Sequence, residues 1–269
     1  MRRFSTHFVL FFVFCAFSRS VPAVQLIWDT ATWPVGSLTN SFEIDPANTG
    51  NDVTLTMTGN TAQFQISFTN PFPQTPAITR AFDGGFSPGH NTLQLAVNFA
   101  SNAQFITVTM DFSNLYASGV SNVSFNLFDI DFANDPGNST TYQDVISSIT
   151  ATSATGSTIA PTISALGPNV SLSGSGTTQV LTGTASTADL GVGSGNANAT
   201  ISFNAPDVRS LTFTYASSAL FANPTYQHIG IDNLSYSVPV PEPGPIGCCL
   251  VGFGMLAARM WYRRAKQKR

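Results

Sequence analysis

The central part of this 269-residue chain has no lysine and no cysteine. Between residues 24 and 238 the lysine and arginine content is two arginines, Arg80 and Arg209, against thirteen acids, so the formal charge there is −11. Nucleic-acid binding needs Lys and Arg on the phosphates, and this composition excludes it. The three cysteines are Cys15, Cys248 and Cys249. Residues 24–238 therefore have no disulfide, and their fold depends on an apolar core or on a metal.

Helical periodicity is also absent from residues 24–238, where apolar residues alternate with polar ones in many short segments. Turns rich in Gly, Pro and Asn separate these segments. Such short, regularly spaced strands predict one all-β domain over 24–238, a jelly-roll-like or other antiparallel β-sandwich. The clearest segments are 53–57, 64–68, 93–99, 106–112, 123–127, 145–151, 201–203, 211–215 and 229–238, with weaker ones at 159–163 and 170–172.

The last segment contains a change of phase. Ile229 and Ile231 alternate in one register, and Leu234 and Tyr236 in the other, with Asp232 at the shift. One extra residue in a strand is a β-bulge, so we expect a bulge that re-aims the Asp232 side chain.

The two ends of the chain are strongly apolar. Met1-Arg2-Arg3, an apolar run over 8–17 and a polar stretch over 18–23 predict a signal peptide at 1–23. At the other end a proline-rich linker, 239–245, precedes an apolar run, 246–262, which predicts a short transmembrane helix. Its basic cluster, which should keep the tail, 263–269, on the cytoplasmic side, consists of Arg259, Arg263, Arg264, Lys266, Lys268 and Arg269.

This order of Pro-Glu-Pro, apolar helix and basic end resembles the PEP-CTERM sorting signal of exported Gram-negative bacterial proteins. The resemblance implies that Pro241, Glu242 and Pro243 are recognised by an exosortase, a membrane protease that removes the helix. It also implies a place at the cell surface or in an exopolysaccharide and biofilm matrix. The sorting signal carries no information about what the exported domain does.

Clustered acids predict a structural calcium site. Asp129 and Asp131 stand at a strand end, and Ca²⁺ prefers six to eight oxygen ligands. The segment around Asp232 resembles the terminal strand of jelly-roll carbohydrate-binding modules, in which an Asp binds a structural calcium. The alternatives are solvated turn acids at Asp129 and Asp131, and a bulge residue at Asp232.

A hydrolase interpretation has one motif in its favour. Gly85-Phe86-Ser87-Pro88-Gly89 is a G-x-S-x-G sequence, and Asp207 and His228 follow in the order of an α/β-hydrolase triad. The motif needs a strand before the serine and a helix after it, and neither is readable here. A glycosidase needs two carboxyls, and because residues 24–238 have one glutamate, Glu43, any such pair would be built from aspartates, for which the sequence gives no support. We therefore predict a protein that is not an enzyme.

Aromatic residues in loops offer a binding interpretation, because aromatic rings stack on sugar faces. The same residues could instead fill the core. They are Trp28, Trp33, Phe72, Phe82, Phe86 and Tyr226. The sequence thus favours a structural or adhesive protein of the cell surface or extracellular matrix, with a carbohydrate-binding module for exopolysaccharide as the alternative.

Overall fold

The computed structural model describes residues 23–67, 70–85, 90–135, 137, 140–184 and 194–238. Apart from Ala23, the predicted signal peptide lies outside these residues, as do the linker, the transmembrane segment and the basic tail. Within the described residues the helical elements are two 3₁₀ turns, Thr61–Gln63 and Gly176–Thr178. No helix long and apolar enough to cross a membrane occurs in this part of the chain.

Seventeen antiparallel strands form two sheets in the described residues. They are β1 Ala23–Leu26, β2 Thr39–Phe42, β3 Val53–Gly59, β4 Ala77–Thr79, β5 Thr92–Val97, β6 Phe105–Asp111, β7 Ser121–Phe128, β8 Phe132–Asp135, β9 Thr140–Ser153, β10 Thr158–Ile159, β11 Thr162–Ser164, β12 Val170–Ser173, β13 Val180–Gly183, β14 Ala199–Phe203, β15 Val208–Ser217, β16 Gln227–Ile231 and β17 Leu234–Ser237.

The first sheet has eight strands in the order β1-β17-β7-β16-β5-β4, with β14 pairing β7 and β11 pairing β14. The second has nine, in the order β12-β13-β9-β15-β6-β3-β2, with β8 and β10 pairing β9. These two antiparallel sheets confirm the predicted sandwich class.

Alternating side chains place the core between the sheets. In β6, Ile106, Val108 and Met110 are buried while the threonines between them are half-buried. The two sheets meet through ring contacts such as that of Phe125 in β7 with Phe213 in β15, whose centroids are 5.9 Å apart. Burying one apolar face of each strand therefore holds the domain together without a disulfide.

The predicted bulge is present between β16 and β17. Ile231 pairs with Leu127, and Ser235 pairs with Ser124. An advance of four residues along the β16–β17 segment therefore matches an advance of three residues along β7. The Asp232 backbone N–H still donates to the Asn126 carbonyl, at 3.0 Å. The extra residue turns the Asp232 side chain away from the core side of the sheet.

The segment predicted at 64–68 differs from expectation. Its described residues form only isolated bridges, Phe64 to Val97 and Ile66 to Gln74, because the chain turns back through Pro71 and Pro73. The Ser67 N–H donates to the Pro73 carbonyl at 2.7 Å, which closes a narrow hairpin. Ile66 consequently remains 56% exposed.

Strand β5 also differs, because both of its faces are buried. The outward-facing residues of β5 lie under the segment that contains Phe82. Gly230 is on the strand next to β5, and a methyl group added to it would approach both Phe82 and Thr92, which shows how closely this segment packs on the sheet. Thr79 donates a hydrogen bond to Gln94 at 3.1 Å. A loop thus covers this face, and strict alternation does not reveal such a cover.

We expect Gly183→Ala to destabilise the domain by about 1–3 kcal/mol, because overpacking against backbone is not easily relieved. A Cβ at Gly183 would lie 2.0 Å from the Asp131 carbonyl oxygen. Urea unfolding measures the change. The matched control is Thr182→Ala on the same strand, for which we expect a change within about 0.5 kcal/mol. Equal stability of the two variants would contradict the close approach.

Candidate functional site

The acids predicted to bind calcium lie in the link between β7 and β8. Asp129 has a positive φ of 65°, and Asp129, Asp131 and Asp144 are all buried. The Asp131 N–H donates to the Asp144 carboxylate at 3.1 Å, and the Asp144 N–H donates to the Asp131 carbonyl at 2.9 Å. The structure therefore brings Asp131 and Asp144 into contact, and neither Asp129 nor Asp131 is a solvated turn residue.

Several carboxyl groups lie close together around Asp144. Burial raises the pKa of Asp144 well above its usual range, and the nearby carboxylates of Asp131 and Asp129 raise it further. The Tyr215 hydroxyl donates to Asp144 at 2.9 Å, and burial together with Asp144 raises the pKa of Tyr215. Protonation of one carboxyl, or a bound cation, reduces the electrostatic repulsion within such a group. However, no three acidic, histidine or cysteine side chains among the described residues are grouped to hold a metal ion, so calcium stays a prediction.

Asp129 also pairs with a buried histidine. The His228 Nε2 lies 3.0 Å from an Asp129 carboxylate oxygen, and the ring of His228 stacks on Phe82 with centroids 4.3 Å apart. The edge of Tyr226 completes the surroundings at 5.6 Å. This environment explains why His228 is closed off from solvent, and it makes Asp129 the carboxylate partner of that ring.

The hydrolase interpretation, with Ser87, Asp207 and His228 as a triad, which the sequence disfavoured, gains no support from the structure. Asp207 precedes β15 at Val208, while the opposite end of β15, at Ser217, pairs with Asp144. Ten residues of strand span roughly 33 Å, so Asp207 belongs to the other end of the sandwich. Ser87 lies outside the described residues.

Asp232 belongs to a separate polar network on the outer face of the first sheet. One of its oxygens accepts a hydrogen bond from Asn126 at 2.7 Å, and the other contacts the His90 ring. Thr200 donates in turn to Asn126 at 2.6 Å, and His90 lies 3.9 Å from Asp29. Both Asp232 oxygens are thus engaged by protein groups. The sequence identified Asp232 but contained no signal for its partners.

The loop aromatics divide into two groups. Trp28, Trp33 and Phe82 are buried, and Trp28 packs edge-on against Trp33 and Phe42, so these rings do not line an exposed groove. The core-filling interpretation is correct for them. Phe86 lies outside the described residues.

The two remaining aromatics, Phe72 and Tyr226, together with Ile66 make up what we call the hairpin surface. Phe72 is 54% exposed on the hairpin that carries the exposed Ile66. The Tyr226 hydroxyl donates to the Ile66 carbonyl at 2.8 Å, which fixes this half-buried ring beside the hairpin. The hairpin surface contains no ionisable acid or base apart from the phenol.

A half-open cleft of about 390 Å³ lies between residues 25–32 and 40–44. Strand β1 on one side and β2 on the other are the terminal strands of their sheets. The sequence gives no sign of this cleft, because its two walls come from separate segments whose proximity no local pattern encodes.

Comparison with protein-family models and with curated proteins finds no match. Among solved structures, the chain resembles a family 28 carbohydrate-binding module specific for non-crystalline cellulose, with 12% identity over 66% of this chain and 89% of that one and a TM-score of 0.34. It also resembles a family 11 carbohydrate-binding module from Clostridium thermocellum in complex with a β-1,3-1,4-mixed-linked tetrasaccharide, with 11% identity over 82% and 99% of the chains and a TM-score of 0.31.

A third similar structure is the N-terminal domain of a Streptococcus gordonii adhesin, with 10% identity over 71% of this chain and 45% of that one and a TM-score of 0.33. Likeness at this level carries no argument about function.

We expect the free energy of unfolding to fall as the pH rises from about 4 towards 7. A carboxyl whose folded pKa is raised stabilises the fold below its unfolded pKa of about 3.9, and this contribution is lost as the pH rises through the folded pKa. Asp144 is such a group. Asp144→Asn cannot ionise and should flatten this slope in urea unfolding at several pH values.

Asp207→Asn, at the opposite end of the domain, is the control and should keep the wild-type slope. Asp45 does not interfere. Burial alone would raise its pKa, but hydrogen bonds from Ala47, Asn48 and Tyr116 lower it, so its contribution is lost only below about pH 4. An unchanged slope in Asp144→Asn would show that Asp144 does not cause the pH dependence.

Proposed function

We propose that this chain is an exported, non-catalytic β-sandwich that serves as a structural or adhesive component of the cell surface or extracellular matrix. The predicted signal peptide and the predicted PEP-CTERM tail, read by an exosortase, would deliver it there. The predicted transmembrane helix, 246–262, would hold it in the membrane before processing.

The observation that carries this proposal is the position of the two ends of the sandwich. Strand β1 pairs with β17, with Ala23 opposite Ser237 and Val24 opposite Tyr236. Val24 and Tyr236 both contribute to the core. The predicted delivery segments are therefore joined in sequence to two neighbouring strands, β1 and β17.

The charge and the histidine geometry also support the proposal. Arg80 and Arg209 are the only Lys or Arg residues between 24 and 238. A cation-poor surface suits neutral matrix components and repels anionic ones. His228 is buried against Asp129 and Phe82, which makes it unsuitable as an accessible general base.

We expect replacement of Pro241, Glu242 and Pro243 by alanine to leave the protein uncleaved in the membrane fraction of an exosortase-containing host, because the recognition residues are lost. Immunoblots of membrane, surface and medium fractions measure the distribution. Pro245→Ala, just outside the motif, is the control and should be processed normally. Release of the triple variant at the wild-type level would reject the sorting proposal.

The hairpin surface favours exopolysaccharide binding as a second function. Aromatic and aliphatic groups pack on the C–H faces of sugar rings. Phe72 and Ile66 are large apolar side chains that are more than half exposed. With Tyr226 held against the hairpin, they form a neutral apolar surface at which a polysaccharide chain could lie.

Phe72→Ala should weaken binding of the full chain to the host's exopolysaccharide about tenfold, because the most exposed ring of the hairpin surface is lost. Affinity electrophoresis measures this. Leu220→Ala is the matched control, since Leu220 is also an exposed apolar residue but lies outside the hairpin surface. The Phe72 variant should keep its stability within about 0.5 kcal/mol. Undiminished binding by this variant would reject the hairpin surface as the site.

The predicted structural calcium at Asp129 and Asp131 is tested by thermal unfolding. If calcium binds the folded state, the melting temperature should be higher in millimolar Ca²⁺ than in EDTA, by mass action. Asp131→Asn should remove the difference, whereas Asp207→Asn should preserve it. Equal melting temperatures of the wild type in Ca²⁺ and EDTA would rule out a stabilising calcium site.

A further inference from the structure

The cleft between β1 and β2 has an apolar base and largely polar walls. Its inner lining includes Leu26 and Phe42, which are buried in the core. Trp28 packs edge-on against Phe42 with centroids 5.7 Å apart, and Trp33 packs at 6.1 Å from the same ring. Interlocked aromatic rings of this kind do not collapse into an adjacent space, so the cleft has a rigid base.

The walls of the cleft are polar, and their polar side chains other than Glu43 are uncharged. Gln25 belongs to β1, Asn40 and Ser41 belong to β2, and Thr30 and Thr32 complete the uncharged polar lining. The Asn40 amide donates to the Thr32 carbonyl at 2.9 Å, which ties β2 to the loop after β1. The Thr30 hydroxyl and N–H both donate to the Ile27 carbonyl, which fixes that loop. The Asn40 amide and the Thr30 hydroxyl are thus held by backbone carbonyls, and the Ser41 hydroxyl pairs with that of Thr54 at 2.8 Å.

The charge of the lining restricts the ligand. Glu43 is its single ionisable side chain, and it is exposed. Without Lys or Arg the cleft cannot favour phosphate, sulfate or uronate groups, and the overall negative charge of the domain opposes them. One carboxylate falls short of what a divalent cation site needs. A neutral ligand rich in hydroxyl groups is left, because hydroxyls donate to Glu43 and both donate to and accept from amides.

The apolar side chains of the lining also fit a sugar ligand. Ile27, Ala31 and Ile44 lie among the polar residues of the lining, and Ile27 is 37% exposed. Sugar rings present C–H patches beside their hydroxyls, and this mixture of small apolar and neutral polar contacts complements them. The volume of about 390 Å³ is at the lower end of the roughly 300–1,000 Å³ of small-molecule sites.

We propose that the cleft between β1 and β2 binds a short neutral saccharide, with Gln25, Asn40 and Glu43 as the hydrogen-bonding residues. Ile66, Phe72 and Tyr226 are not part of its lining. The cleft is therefore a site distinct from the hairpin surface, and its ligand is defined by its own residues.

The test uses the full chain in mild detergent on immobilised tetrasaccharides of β-linked glucose, of mannose and of galacturonic acid. We expect the wild type to bind a neutral tetrasaccharide and to bind the acidic one at least tenfold more weakly. The double variant Gln25→Ala/Glu43→Ala should lose at least tenfold in affinity for the neutral probe. Both residues are exposed, so we expect its thermal unfolding to match the wild type.

The matched control is Thr162→Ala/Asp207→Ala, which removes the same charge at positions outside the cleft and should bind within twofold of the wild type. Failure of every neutral probe to bind the wild type, or wild-type affinity in the Gln25/Glu43 variant, would overturn the inference. So would equal affinity for the acidic tetrasaccharide.

Phe72→Ala separates this inference from the hairpin proposal. If the Phe72 variant loses the exopolysaccharide but keeps the tetrasaccharide, and the cleft variant does the reverse, both sites stand. Tetrasaccharide binding that depends on Phe72 and is indifferent to Gln25 and Glu43 would overturn the cleft and leave the hairpin surface as the glycan site.

Discussion

Burial of one apolar face by each sheet is the constraint on which the rest of this structure depends. No cysteine occurs between residues 24 and 238, so no covalent cross-link closes the domain. Contacts across the sheets, such as Phe125 on Phe213, must supply the stability. At roughly 25 cal/mol per Å² of apolar surface, a core of this extent can offset the chain entropy of a domain of this size.

A filled interior leaves functional chemistry to the places where strands end. The hairpin surface lies on a loop, the Asp232 network arises at a bulge, and the cleft lies at the terminal strands β1 and β2. The acids around Asp144 are the exception, because they are inside. These buried carboxyls destabilise the fold when they ionise. Their ionisation therefore links the stability of the domain to pH and to bound cations rather than to an organic ligand.

The sequence was informative where a strand has one buried and one open face. Ile106, Val108 and Met110 alternate cleanly, and the phase shift at Asp232 revealed its bulge. It was uninformative where a loop covers a face, as over β5, and where prolines turn a promising segment into the hairpin of Ile66. It identified Asp129 and Asp131, but contacts with Asp144 and His228 depend on the tertiary fold. The cleft between β1 and β2 likewise depends on the tertiary fold.

The most direct test of this account is calorimetry of a shortened chain that comprises residues 22–239 alone. If the inter-sheet core suffices, this segment should unfold reversibly in one cooperative transition, with the same midpoint in the presence and absence of a reducing agent. A segment that remains unfolded, or that melts cooperatively only when the apolar ends are restored, would contradict the claim that the sandwich is held together by its own core.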